Sequence, residues 1–231
     1  AVPALIAALG DLDWSVRSTT LEALKLIGAP AISALISALS HDSVISRRNA
    51  AIAIGQIGSP VADMAVPALI IAGGDTDLSV RHDAVEALGR IGSRAAAAVP
   101  MLITELTNGD PSVRCLAITA LGRFGTPAAD VAVPVLITAL SDVESKVRTA
   151  AALAIGCIGT PAAETAVSSL ITALADTDEG VRRHAVLALG WLRTSDSNAY
   201  PPLISLLNGS NPGLRRAAIL SLGRIGAPAK V

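Results

Sequence analysis

The chain has 231 residues, 52 % of them hydrophobic and 2 % aromatic, with 18 basic against 19 acidic side chains and a formal net charge of −1. That balance argues against a dedicated nucleic-acid binder, which carries a basic excess, and two cysteines cannot build a disulfide framework, which favours a reducing, cytoplasmic setting. The longest apolar run, Ala95 to Ile103, is short and contains Pro100, so no membrane span is expected; no basic amino-terminal segment leads into an apolar stretch as a secretion signal would.

One cassette returns seven times along the chain. A Leu-Ile pair starts at Leu5, Leu35, Leu69, Leu102, Leu136, Leu170 and Leu203, and an arginine follows twelve residues later: Arg17, Arg47, Arg81, Arg114, Arg148, Arg182 and Arg215. Eleven residues further on comes a glycine (Gly28, Gly58, Gly92, Gly125, Gly159 and Gly226), with Arg193 in the sixth place. Arginine spacings of 30, 34, 33, 34, 34 and 33 residues mark a repeat array. The units run about 1–28, 29–58, 59–92, 93–125, 126–159, 160–193 and 194–231.

The third unit shows what each cassette builds. Val66-Pro67-Ala68-Leu69-Ile70 opens a first helix, with proline near its start where a missing N–H costs little. Asp75-Thr76-Asp77 breaks it, and Asp77 is placed to cap a second helix that runs towards Gly92. Asp110-Pro111 and Asn211-Pro212 repeat the cap with proline at the first helical position. Counting from the arginine, positions −1, +3, +6, +7 and +10 (Val80, Ala84, Ala87, Leu88 and Ile91) fall within about a third of the helix circumference and form the buried stripe. Two antiparallel helices per unit fit the period, which makes the chain all-α.

The pattern Asp-x-x-Val-Arg-x-x-Ala-x-x-Ala-Leu-Gly-x-Ile-Gly, clearest over Asp77 to Gly92, Asp110 to Gly125 and Glu144 to Gly159, resembles the HEAT-like repeats of bacterial and archaeal type, a subfamily named after phycobilisome lyase subunits. The resemblance covers essentially the whole chain. It implies a right-handed α-solenoid of seven helix pairs, second helices along the concave side, and a ladder of repeated Asp and Arg at the inter-helix turns. Unit two is short, with Ser46 in place of the valine before Arg47, and unit six reads Gly190-Trp191-Leu192-Arg193 before the polar stretch Thr194 to Asn198, which marks a bend or a ligand contact. The first and last units read like internal ones, so the chain is expected to be an excerpt of a longer array.

Positions +1, +2, +5 and +9 vary most and are assigned to the exposed face of the second helices. Units one to three place acids, amides and a few arginines there, whereas units four to seven place Leu116, Leu153, Leu187, Leu220 and Trp191, edged by Arg123, Arg183, Arg216 and Arg224. Trp and Arg are enriched at binding hot spots, and leucines add apolar area. The expected partner-binding set is Leu116, Leu153, Arg183, Leu187, Trp191, Arg216, Leu220 and Arg224, although the leucines at +5 could instead pack on the next repeat.

No catalytic constellation is expected. His41, His82 and His184 occupy unrelated repeat positions, so no histidine pair has metal-ligand spacing, and Cys115 and Cys157 read as free thiols. The expected function is a non-enzymatic scaffold holding a protein or peptide, with no cofactor and no metal. The resemblance keeps open a bilin lyase-like subunit handling a tetrapyrrole. Arg183, Arg216 and Arg224 keep a weaker nucleic-acid reading alive, since seven of the fifteen arginines are the repeat's own turn residues.

Overall fold

A computed structural model describes residues 1–125, 128–159, 161–194 and 196–226. Ser195, inside the polar stretch expected after Trp191, and the last five residues of the seventh unit lie outside that set. Among the described residues there are fourteen α-helices and no strand. The first helices are α1 (Val2–Ala8), α3 (Ile32–Ala38), α5 (Val66–Ala72), α7 (Val99–Glu105), α9 (Ala129–Ala139), α11 (Val167–Ala173) and α13 (Tyr200–Ser205). The second helices are α2 (Trp14–Ile27), α4 (Val44–Ile57), α6 (Leu78–Ile91), α8 (Pro111–Phe124), α10 (Ser145–Ile158), α12 (Glu179–Leu192) and α14 (Pro212–Ile225), all of 14 residues. The chain divides into two compact units, Ala1–Thr104 and Glu105–Val231.

Local chemistry fixes the second helices at both ends. Asp13, Ser43, Asp77, Asp110, Asp178 and Asn211 accept backbone N–H bonds in the first turn as side-chain caps. Glu144 occupies the same place without a side-chain bond. Six of the seven end on a glycine at +11 with φ between 65° and 76°: Gly28, Gly58, Gly92, Gly125, Gly159 and Gly226. At α12 the non-glycine Arg193 adopts the left-handed conformation, φ 48°. The helix therefore reaches the same length as its counterparts and runs through Gly190-Trp191 without a break.

The buried stripe follows the arginine register. Val80, Ala84 and Leu88 are fully buried, as are Val147, Ala151 and Ile155 in α10 and Val181, Ala185 and Leu189 in α12. The first helices contribute Leu35, Leu69, Leu102, Leu136, Leu170 and Leu203, all without solvent exposure. Burying a side chain of this size stabilises the fold by about 1.5–3 kcal/mol. Among the described residues no single helix is long and apolar enough to cross a membrane.

Successive second helices also pack on each other, through glycine. At +8 the helix carries Gly55, Gly122, Gly156 or Gly190, and a Cβ built there would stand 2.9, 2.9, 3.1 and 2.7 Å from the Cα of Ala87, Ala154, Ala188 and Ser221 at +6 of the next pair. These glycines lie inside the helices and permit backbone contact; they do not stop them. The seam covers much of row +2, which the periodicity assigned to the exposed face, though Thr19 stays exposed. Asn49, Asp83 and Ala217 are buried there, and Asn49 Nδ2 donates to the carbonyl of Leu9 at 2.8 Å.

Candidate functional site

The turns between helices carry the ionic ladder. Arg47 donates through Nε and Nη2 to both carboxylate oxygens of Asp75, at 2.7 and 3.0 Å. Arg114 grips Asp142 in the same way at 2.9 and 2.8 Å, and Arg148 grips Asp176 at 2.7 and 2.8 Å. The remaining Nη1 of each arginine donates to two carbonyls of its own turn. The bridging acid is the residue six before the next arginine, not the capping one four before it. It also accepts the backbone N–H of the cap residue, as Asp142 does from Glu144 at 2.9 Å. The guanidiniums hold the carboxyls of Asp75, Asp142 and Asp176 below the usual range, against a smaller opposing effect of burial. Where that residue is His41 or Gly209 the rung is missing, and Arg17 and Arg182 bond only carbonyls of their own turns among the described residues. The repeated arginines are thus structural.

In the second unit, α8, α10, α12 and α14 lie side by side, and the expected partner-binding residues line their face. Leu153 (α10), Arg183, Leu187 and Trp191 (α12), and Arg216, Leu220 and Arg224 (α14) share it. Leu153, Leu187 and Trp191 are partly covered, whereas Leu220 is 50 % exposed. Trp191 lies across the seam: its Cε3 is 2.5 Å from where a Cβ on Gly156 would sit, and Arg224 stands over its ring at 5.8 Å. A cation at that distance is attracted to the ring face. Leu116 belongs to the seam row of Asn49, Asp83 and Ala217 and is partly buried.

Charge separates the two units. In the first, Arg48 Nε bonds Asp83 Oδ2 at 2.8 Å and Arg90 bonds Glu86 at 2.7 Å, so this face neutralises itself. In the second, rows +1, +2, +5 and +9 contain no Asp or Glu. Among the described residues Arg123, Arg183, Arg216 and Arg224 make no ion pair. Cys115 and Cys157 are free, and partial desolvation pushes both thiols up.

One group escaped the sequence reading. His82, Asp83 and Glu86 on α6 bring ligand atoms within 4.8 Å of one another. The signal was a histidine followed four residues later by a glutamate on one helical face.

These helix pairs, capped turns and rungs define an α-solenoid built of repeats. The chain belongs to the HEAT-repeat family, whose model matches residues 2–69, 32–102, 99–171 and 167–231. No curated protein matches it in sequence. Among solved structures, an engineered protein is 24 % identical with a TM-score of 0.66, the match covering 85 % of this chain and 96 % of that one. A designed armadillo repeat protein in complex with the peptide (KR)4 is 20 % identical with a TM-score of 0.62, over 97 % and 99 % of the two chains. The complex of CpcE and CpcF of phycocyanin lyase from Nostoc sp. PCC7120 gives 26 % identity and a TM-score of 0.56, over 97 % and 94 %.

Proposed function

We propose that the chain is a non-enzymatic interaction module whose second unit holds a protein segment carrying acidic and apolar groups against α10, α12 and α14. The observation that carries this reading is the set of four arginines that make no ion pair among the described residues, on a face that presents Leu153, Leu187, Trp191 and Leu220 and has no acid in its variable rows. Unpaired cations around partly covered apolar side chains offer a partner both steering charge and contact area. Solenoids bind along such surfaces, and a designed repeat protein of similar fold holds the basic peptide (KR)4. The face here has the opposite electrostatic demand.

Burial disfavours the thiolate of Cys115 and Cys157, the reactive form, which argues against nucleophilic chemistry there. The likeness to the CpcE and CpcF complex favours one second reading, a subunit that handles a tetrapyrrole, whose propionates would meet Arg183 and Arg216. A shift in visible absorbance on mixing the chain with a free bilin would support that reading over the first.

Selection from a random peptide library displayed on phage tests the proposal. The chain should enrich sequences that combine Asp or Glu with large apolar residues, and a Leu187→Glu, Trp191→Ala double variant of equal helicity should not retain them. Enrichment of basic sequences, or equal retention by the double variant, would contradict it.

A further inference from the structure

We infer that His82, Asp83 and Glu86 form a binding site for a first-row divalent transition ion of the Zn²⁺ type. His82 and Glu86 are four residues apart on α6 and so share one face. Asp83 follows His82 directly, with its Oδ1 3.4 Å from His82 Nδ1, and ligand atoms of all three lie within 4.8 Å of one another.

What lifts this group above a chance gathering on a helix surface is how its carboxylates are held. Asp83 is buried in the seam between α4 and α6, its side chain 8 % exposed, and Arg48 fixes its Oδ2. Arg90 fixes Glu86 Oε1. Each carboxylate thus has one oxygen tied down by a guanidinium, and the second oxygen of Asp83 faces His82 Nδ1. Outer partners of this kind orient metal ligands and set their basicity. A cleft of about 170 Å³ between α4 and α6 borders the two carboxylates of the group, lined by Ile52, Gly55, Asp83, Glu86 and Arg90, whereas His82 does not line it.

The donor set selects the ion. One imidazole with two carboxylates suits Zn²⁺ and its first-row neighbours, whereas Mg²⁺ and Ca²⁺ prefer all-oxygen shells. The site lies in the first unit and is independent of the binding face proposed for the second.

Isothermal titration of the whole chain with Zn²⁺ at neutral pH tests the inference. One equivalent should bind saturably, Mg²⁺ and Ca²⁺ should give no comparable heat, and His82→Ala and Glu86→Gln should each weaken Zn²⁺ binding at least about tenfold. His82 is exposed and Glu86 only partly covered, so both variants should keep the wild-type helicity. His41→Ala and His184→Ala should bind as the wild type does. Absence of saturable uptake, equal binding by His82→Ala, or loss in His184→Ala would each overturn the site.

Discussion

The guanidinium of Arg114 makes four hydrogen bonds, two to the carbonyls of Asn108 and Gly109 and two to the carboxylate of Asp142, with both side chains largely shielded from water. Truncating it leaves a shielded carboxylate with one backbone N–H and strands two carbonyls. We expect Arg114→Ala to cost about 2–4 kcal/mol in chemical denaturation, and Arg215→Ala, whose bonds reach only Gly209 and Ser210 of its own turn, to cost clearly less. The same rungs set the acid limit. Asp75, Asp142 and Asp176 titrate below their ordinary value in the folded chain, so their stabilisation is complete above a pH of about 4 and is lost as the pH falls below it. Thermal denaturation followed between about pH 6 and 2.5 should show a midpoint that is flat and then falls, and Arg114→Ala should flatten the fall. The family pattern implied an Asp–Arg ladder, yet four of the turns offer two acids at short range, as Asp75 and Asp77 do. Which of them bridges depends on how the pairs stack, and a linear sequence does not carry that distance.

At the scale of elements, caps and stops were legible because they are local: a cap side chain and a left-handed glycine act within one turn of themselves. The helix flank was not. Position +2 lies away from the buried stripe and varies between units, which assigns it to the exposed face, but close approach through the glycine at +8 buries Asn49 and Asp83, whose polar groups find partners in Leu9 and Arg48. The glycines themselves are testable in pairs. Gly122→Ala would place a methyl 2.9 Å from Ala154 Cα and should destabilise by about 1–3 kcal/mol. Gly223→Ala, at the same repeat position with nothing within 4 Å, should instead stabilise by about 0.5–1 kcal/mol through helix propensity. Opposite signs by thermal denaturation would identify the seam, and not the sequence position, as what demands glycine. Gly156→Ala should also lift Trp191 off the helix and red-shift its emission, since the added Cβ would collide with the ring.

For the molecule as a whole, seven similar cassettes build a regular frame, so specificity is left to residues that break the regularity. Arg193 stands where the other units carry glycine and only replaces a helix-ending residue, whereas Trp191, in the variable row +9, belongs to the candidate face. Periodicity located both residues but could not rank them, because packing against Gly156 and Arg224 is a tertiary fact. The leucines at +5 serve two ends at once, partly covered by the adjacent helix and partly open. The unpaired arginines therefore distinguish this face more sharply than its apolar content does. Charge reversal by Arg183→Glu with Arg216→Glu should weaken an acidic partner by at least about tenfold, equivalent to about 1.4 kcal/mol. Added salt should weaken the wild-type complex, because the Debye length shortens from about 10 Å at 0.1 M to about 3 Å at 1 M.

The most direct measurement uses Trp191 itself as the reporter. The chain has two tryptophans, so Trp14→Phe leaves one signal, on the candidate face. Titrating that variant with a synthetic peptide alternating Leu and Glu should shift the Trp191 emission saturably, while the matching Leu and Lys peptide should not bind. Leu187→Glu should abolish the shift. Binding of the Lys peptide in preference, or a shift unchanged by Leu187→Glu, would contradict the assignment of this face to an acidic, apolar partner.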